Sequence, residues 1–238
     1  MKTATMRLRR NALRLGMACV LAACAPAPPA PPSPPASGPT ALAGGEAFYA
    51  ALRARGESVL RVDPQASLIA ITVRRAGALA RLGHDHLVAS RAVDGFVAPG
   101  QNRADFHFRL DQLTVDDADL RADAGLGAQP SADAIAGTRS NMLGKVLDAE
   151  HFPDVYVRAT RGAPDAPLSV AITLHGVRRT LTIPVRFETP PDGRRLAVSG
   201  TVEFRQSDFG LVPFAVLGGA IAVQDRLELR FRIVAVAP

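Results

Sequence analysis

Residues 67–96 read SLIAITVRRAGALARLGHDHLVASRAVDGF, and the rest of the chain is organised around this stretch. Its first part predicts a β-strand, because Ile69, Ile71 and Val73 recur at a spacing of two and share one face. Gly77 ends this strand. The chain resumes through His84 and His86, which point to one side if the segment is extended. The stretch therefore predicts strands whose common face the following strands enclose.

The remainder of the domain repeats an alternation of apolar and polar side chains over short segments. Within residues 105–112, Phe106, Phe108 and Leu110 share one face, and His107 lies on the other. Similar segments begin near residues 155, 168, 181, 196 and 227. One apolar and one charged face is typical of antiparallel sheet, and many such strands at short spacing favour a sandwich or a barrel.

Two segments predict helices beside these strands. Residues 46–55 have apolar side chains at helical spacing, and Gly56 would end that helix. Ser131 can cap a second helix, which Pro153 prevents from continuing. The apolar stripe of this second helix is interpreted as a packing surface and comprises Ile135, Met142, Leu143, Val146 and Leu147.

The N-terminal residues predict an export signal followed by a tether. Five basic residues precede or enter a short apolar run at 13–21, which is too short to span a bilayer. Leu21-Ala22-Ala23-Cys24 resembles a bacterial lipobox, which implies lipidation of Cys24; an ordinary secretory signal is the alternative. Eight prolines between residues 26 and 39 favour an extended tether. We divide the chain into a signal at 1–23, a tether at 24–45, a helical lead-in at 46–57 and a β-domain at 58–238.

Charge and cysteine usage constrain the class of partner and the compartment. The chain has 28 basic and 22 acidic residues, a net charge of +6. Removing the five basic residues of 1–23 leaves 23 against 22, or +1, which gives no electrostatic reason to expect nucleic-acid binding. Both cysteines, Cys19 and Cys24, precede the domain, so we expect it to fold without a disulfide.

Few residues have the arrangement that catalysis or metal binding requires. His84 and His86 could begin a zinc site, but the pattern supplies no third and fourth ligand, and we predict no metal. The acidic group Asp116, Asp117, Asp119 and Asp123 lacks calcium-loop spacing and is interpreted as a solvated loop. No motif pairs a nucleophile with a base. We therefore expect a protein that is not an enzyme.

Several short motifs resemble the YceI-like family when they are taken together in their order and spacing. They include 83–86, Asp94-Gly95-Phe96, Phe106-His107-Phe108, Phe152-Pro153-Asp154-Val155, Leu174-His175-Gly176 and Asp208-Phe209-Gly210-Leu211. The resemblance covers roughly residues 59–237. It implies a lipocalin-like antiparallel barrel with a flanking helix, in exported proteins that bind polyisoprenoids or fatty-acid-type ligands in an apolar lumen.

From the resemblance and the residues together we expect a mainly β, lipocalin-like barrel with one or two flanking helices that holds a long-chain amphiphile without a cofactor. His84 and His86 are the predicted head-group contacts. The predicted lumen residues are Phe106, Phe108, Leu110, Phe204, Phe209, Phe214 and Phe231.

The expected partners are a lipid or isoprenoid ligand and a membrane, which the acylated Cys24 would join, with a homodimer as a candidate assembly. We expect a periplasmic location, and Ala25 favours the outer membrane because an Asp there often signals inner-membrane retention. The alternatives are a metal-dependent envelope enzyme using His84 and His86, and a structural envelope protein whose barrel is filled by its own side chains.

Overall fold

The computed structural model of the protein describes residues 38–238, with side chains from residue 45 onward. The predicted signal at 1–23, Cys24 and the tether up to residue 37 lie outside the described residues. Helix α1 spans Gly38–Ala54, so it begins before the predicted lead-in and ends beside Gly56, as predicted. Among the described residues, no helix combines the length and apolar character needed to cross a bilayer.

The strands of residues 38–238 form a single antiparallel sheet. They are β1 Leu60–Val62, β2 Leu68–Ala76, β3 His86–Ser90, β4 Asp94–Ala98, β5 Arg103–Arg109, β6 Thr114–Val115, β7 Asp154–Thr160, β8 Leu168–Leu174, β9 Val177–Ile183, β10 Val185–Glu188, β11 Arg195–Arg205, β12 Ala215–Val216 and β13 Ile221–Val236.

The sheet curls strongly because strands at the two ends of the chain pair with each other. The last strand, β13, pairs with β1 and β2 along one edge and with β11 along the other. On the far side, β9 pairs with β8 while β10 pairs with β11, and Pro184 separates β9 from β10. The prediction of a mainly β, antiparallel, barrel-like fold is confirmed.

The break predicted at Gly77 is a tight turn after β2. Gly77 has a φ of +90°, which a residue with a side chain rarely adopts. A Cβ atom at this position would lie 2.4 Å from the carbonyl oxygen of Ala220. The neighbouring Leu79 N–H donates a hydrogen bond of 2.7 Å to that same oxygen. Only glycine therefore lets the two segments approach this closely.

Helix α1 packs on the outer surface of β4 and β5. Tyr49 and Leu52 are almost fully buried, in a cluster with Val59 and Ala98. The Tyr49 hydroxyl donates to Asp105 Oδ2 at 2.9 Å. This apolar contact and the hydrogen bond together fix the helix against the sheet.

Two further helices connect β6 to β7: α2 at Ala118–Asp123 and α3 at Ala132–Asn141. A π-helical turn, Met142–Val146, continues α3. Ser131 caps α3 as predicted, since its Oγ accepts the Ala134 N–H at 3.2 Å. The predicted apolar stripe packs against the hydrophobic core of the sheet.

Candidate ligand-binding cavity

The curled sheet encloses a cavity of about 470 Å³. Alternate side chains of its strands form the wall, as the period of two requires. Ile69, Ile71 and Val73 of β2 contribute, as do Val155, Val157 and Ala159 of β7. On the paired strands β11 and β13, Leu196, Val198, Val202 and Phe204 lie beside Leu227, Leu229, Phe231 and Ile233 on one wall. The wall is therefore apolar over most of its length.

Six of the seven predicted lumen residues line this cavity: Phe106, Phe108, Leu110, Phe204, Phe209 and Phe231. Phe214 does not, and its prediction is corrected here. It lies in the loop before β12, where no strand ladder imposes alternation, and its ring centre is 5.7 Å from Lys145 Nζ. The aromatic character of a residue does not by itself determine whether its side chain points into the cavity.

One end of the cavity is covered by the π-helical turn after α3. Met142, Val146 and Leu147 line the cavity there. Phe209 is fully buried and meets Phe204 edge to face, with ring centroids 5.6 Å apart. The sequence analysis assigned the helical stripe to packing alone, because spacing does not distinguish a stripe that covers a cavity from one on a filled core.

The opposite end carries most of the polar residues of the lining. Arg161 follows β7 and continues the inward alternation of Val155, Val157 and Ala159. Its guanidinium lies over the Phe187 ring at 4.2 Å. The other polar residues that border this end are Ser58, Asn102, Arg103, Thr189 and Arg195, and the side chain of Arg103 turns outward to Asp105 and Phe48. The sequence analysis missed them, although the alternation extended beyond Thr160 would have indicated Arg161.

The two ends are far apart along the strands. Arg195 begins β11, and Phe204 is the tenth residue of the same strand. Nine steps of about 3.3 Å place them about 30 Å apart. The cavity is thus elongated, with an apolar closed end and a polar end.

His84 and His86 do not line the cavity, which corrects their predicted head-group role. His86 lies on the same side of β3 as Val88, but at the end of the strand. There its Nδ1 donates to Asp116 Oδ2 at 2.6 Å, and Thr138 of α3 lies beside Nε2 at 3.5 Å. His84 is exposed. The connection through α2 and α3 therefore covers His86 and separates it from the lumen.

Asp116 is buried, and the expectation that it belongs to a solvated acidic loop is wrong. Its Oδ1 accepts hydrogen bonds from Arg121 Nη1 at 2.6 Å and from the Leu87 N–H at 2.9 Å. Burial raises the pKa of Asp116, but the hydrogen bonds from His86, Leu87 and Arg121 outweigh burial and hold the pKa below its ordinary value. Asp117 is also structural, since it caps α2.

Arg121 extends this buried network into the α2–α3 connection. Its Nη1 also donates to the Asp85 carbonyl at 2.7 Å, and its Nη2 donates to the carbonyls of Gly127 and Ala128 at 3.1 Å. The network thus holds β3 and the segment leading to α3 in fixed relation. Among residues 38–238, no group of three or more His, Cys, Asp or Glu side chains is arranged to hold a metal ion.

A curled antiparallel sheet around an enclosed apolar cavity is the architecture of lipocalin-like barrels. The sequence model of the YceI-like domain matches residues 60–235, and the chain belongs to the YceI-like family. No curated protein matched the chain.

Two solved structures are similar to this chain at low sequence identity. A polyisoprenoid-binding domain from Saccharophagus degradans, implicated in plant cell wall breakdown, has a TM-score of 0.54 and 11% identity; the match covers 75% of this chain and 98% of that domain. Burkholderia cenocepacia BcnA has a TM-score of 0.49 and 15% identity, covering 74% and 99%. At 11% identity, the similarity to the Saccharophagus degradans domain establishes the fold alone.

Proposed function

We propose that this protein is a binding protein, not an enzyme, and that it holds the chain of a polyisoprenoid or fatty-acid-like amphiphile in its cavity. The observation that carries the proposal is the elongated cavity of about 470 Å³, with walls of Leu, Ile, Val and Phe. Burying ten methylenes contributes about 8 kcal/mol. That corresponds to a Kd of about 1 μM before ordering costs are subtracted.

Family membership supports this proposal independently of the cavity. The Saccharophagus degradans domain is described as polyisoprenoid-binding, and it shares the fold of this chain. We extend that ligand class to this protein because its own cavity has the chemistry that an isoprenoid chain requires, an apolar wall over most of its length.

The two alternatives fit the site less well. A barrel filled by its own side chains would leave no cavity of this volume. A metal enzyme using His84 and His86 would need further ligands, and residues 38–238 bring no third His, Cys, Asp or Glu side chain into a metal-binding group with them. Neither histidine lines the cavity.

We also propose that the protein works on the periplasmic side of a bacterial membrane, with the outer membrane favoured, and is held there through Cys24. The support is the basic segment, the short apolar run, the lipobox-like Leu21-Ala22-Ala23-Cys24 and the proline-rich stretch that follows.

Ligand extraction and rebinding test the binding function. We expect the purified full chain to release a long-chain lipid on solvent extraction, and the delipidated chain to bind farnesol and the neutral fluorophore N-phenyl-1-naphthylamine. Ala159→Phe narrows the lumen and should weaken both interactions, whereas Ala171→Phe, whose residue lies outside the lining, should not. Absence of co-purified lipid together with no probe binding by the folded protein would refute the proposal.

A further inference from the structure

The charge of the cavity lining has one sign. Among the described residues that line or border the cavity, the charged ones are Arg103, Arg161 and Arg195, with no Asp, Glu, Lys or His. Arg103 is paired, since its Nε lies 2.6 Å from Asp105 Oδ2. Within residues 38–238, neither Arg161 nor Arg195 forms an ion pair with a carboxylate. The polar end of the cavity therefore has two arginines that form no ion pair of their own with a carboxylate of the described residues.

Arg161 is held in place by neutral groups. Its Nη1 donates to the Pro164 carbonyl at 2.9 Å, its Nη2 donates to Asn102 Oδ1 at 3.3 Å, and the guanidinium lies over the Phe187 ring. A guanidinium has five N–H donors, so these contacts orient it while leaving donors for a ligand. The side chain is ordered before a ligand arrives, which lowers the entropic cost of binding.

Arg195 is the first residue of β11 and borders the same end. Because Leu196 and Val198 point inward, its side chain leaves the rim of the strand from the outer face. The pKa of the Glu188 carboxyl is held below its ordinary value mainly by the hydrogen bonds from Arg232, and the nearby charge of Arg195 adds to this effect. That carboxylate, however, is already bound at both oxygens by Arg232, at 2.9 and 2.8 Å. Arg195 is exposed, so it can turn towards a group at the cavity mouth without first breaking an ion pair of its own.

We propose that Arg161 and Arg195 form an anion site for the head group of an acidic amphiphile, a carboxylate or a phosphate, whose tail lies in the apolar cavity. The inference rests on the proposed function. An arginine fork matches both oxyanions, and charged hydrogen bonds to them are stronger than neutral ones. A head group at the partly solvated mouth also avoids the full desolvation penalty of a buried ion. This site replaces the head-group contact predicted for His84 and His86.

Ligand pairs that share a chain but differ in head group measure how much the head group contributes to binding. Displacement of N-phenyl-1-naphthylamine would give Kd values for palmitate against hexadecanol and for farnesyl phosphate against farnesol. The chain has no Trp, which keeps background emission low. We expect at least one acid to bind about tenfold or more tightly than its alcohol, the ratio that one charged hydrogen bond supplies. The pair with the larger ratio identifies carboxylate or phosphate as the preferred group.

Two double variants assign that preference to the proposed site. Arg161→Gln with Arg195→Gln should bring the ratio of Kd values near one, because binding of the acids loses the charged contact. Arg178→Gln with Arg179→Gln removes the same charge from β9 outside the lining and should keep the wild-type ratio. Added salt should weaken binding of the acids alone.

The possible results separate this inference from the proposed function. Equal binding of acids and alcohols by the wild type, or an unchanged ratio in the Arg161 and Arg195 variant, overturns the anion site while the lipid-binding function stands. Failure of all four ligands to bind the folded protein overturns both. Thermal unfolding of each variant identifies any loss of binding that comes from misfolding.

Discussion

Asp116 is the residue on which the buried polar network beside β3 converges. It adopts a left-handed backbone conformation, with a φ of +56°, and its carboxylate accepts from His86, Leu87 and Arg121. Its side chain is fully buried and that of Arg121 nearly so. Removing one member of such a buried pair costs more than the pair itself contributes, because the other charge is left without a partner.

We therefore expect Asp116→Asn to lower the free energy of unfolding by about 3–5 kcal/mol at neutral pH. Because the folded-state pKa of Asp116 is lowered from 3.8, its contribution is complete above pH 3.8 and is lost as the pH falls through the folded-state pKa. The stability difference between wild type and variant should therefore shrink below pH 3.8. Urea unfolding at a series of pH values measures it.

Asp123→Asn is the matched control, since Asp123 is exposed at the end of α2. It should leave stability nearly unchanged across the same pH range. A similar loss in both variants would mean that the effect comes from net charge and not from the network around Asp116.

The local sequence around Asp116 did not reveal the environment of this side chain. Four aspartates within eight residues are usually solvated, and that was the interpretation for Asp116. Arg121 is only five residues away, but His86 reaches Asp116 from thirty residues earlier in the chain. Such a contact depends on the packing of α2 against β3, which local pattern does not contain.

The alternation along β5 is the clearest pattern that governs a whole element. Phe106 and Phe108 line the cavity, while His107 faces outward and stacks on Tyr156, with ring centroids 6.1 Å apart. Period two was predictable because ladder pairing with β4 and β7 holds this strand straight. Where no ladder exists, as at Phe214, the same reasoning failed.

Substituting the same residue at adjacent positions of β5 tests the alternation. Phe108→Asn removes a buried ring and places an amide in the apolar wall, so we expect a loss of about 3–5 kcal/mol of stability together with weaker ligand binding. His107→Asn changes a partly exposed side chain and should cost less than about 1 kcal/mol. Chemical denaturation and probe binding measure the two effects. Comparable losses at both positions would show that the inward and outward faces are assigned incorrectly.

At the scale of the whole molecule, the cavity exists because the sheet curls and because a helical segment covers one end. The strands and their apolar faces followed from sequence. The closure did not, since it depends on where Met142, Val146 and Leu147 meet the end of the sheet. The arginine end was also missed, because Arg161 lies just beyond the last residue of β7. Pattern reasoning thus identified the wall of the cavity better than its two ends.

Attachment to a membrane is a property of the whole chain, and Cys24 is its proposed origin. A bilayer holds a doubly acylated protein stably because each buried methylene contributes about 0.8 kcal/mol, whereas a single chain binds only marginally. We expect Cys24→Ser to move the protein from the membrane fraction to the soluble fraction after expression in a bacterial host. The soluble variant should bind N-phenyl-1-naphthylamine as the wild type does, because the described residues that line the cavity all lie within 58–235.

Cys19→Ser supplies the matched control, because Cys19 lies in the apolar run that signal cleavage would remove. This variant should stay with the membrane through a carbonate wash, and its mass should show the same acyl modification as the wild type. If the Cys24→Ser protein also resisted the wash, the membrane would be binding some other part of the chain. If wild-type protein were soluble and unmodified, the N-terminal segment would be an ordinary secretory signal, and the domain would carry its ligand without an anchor.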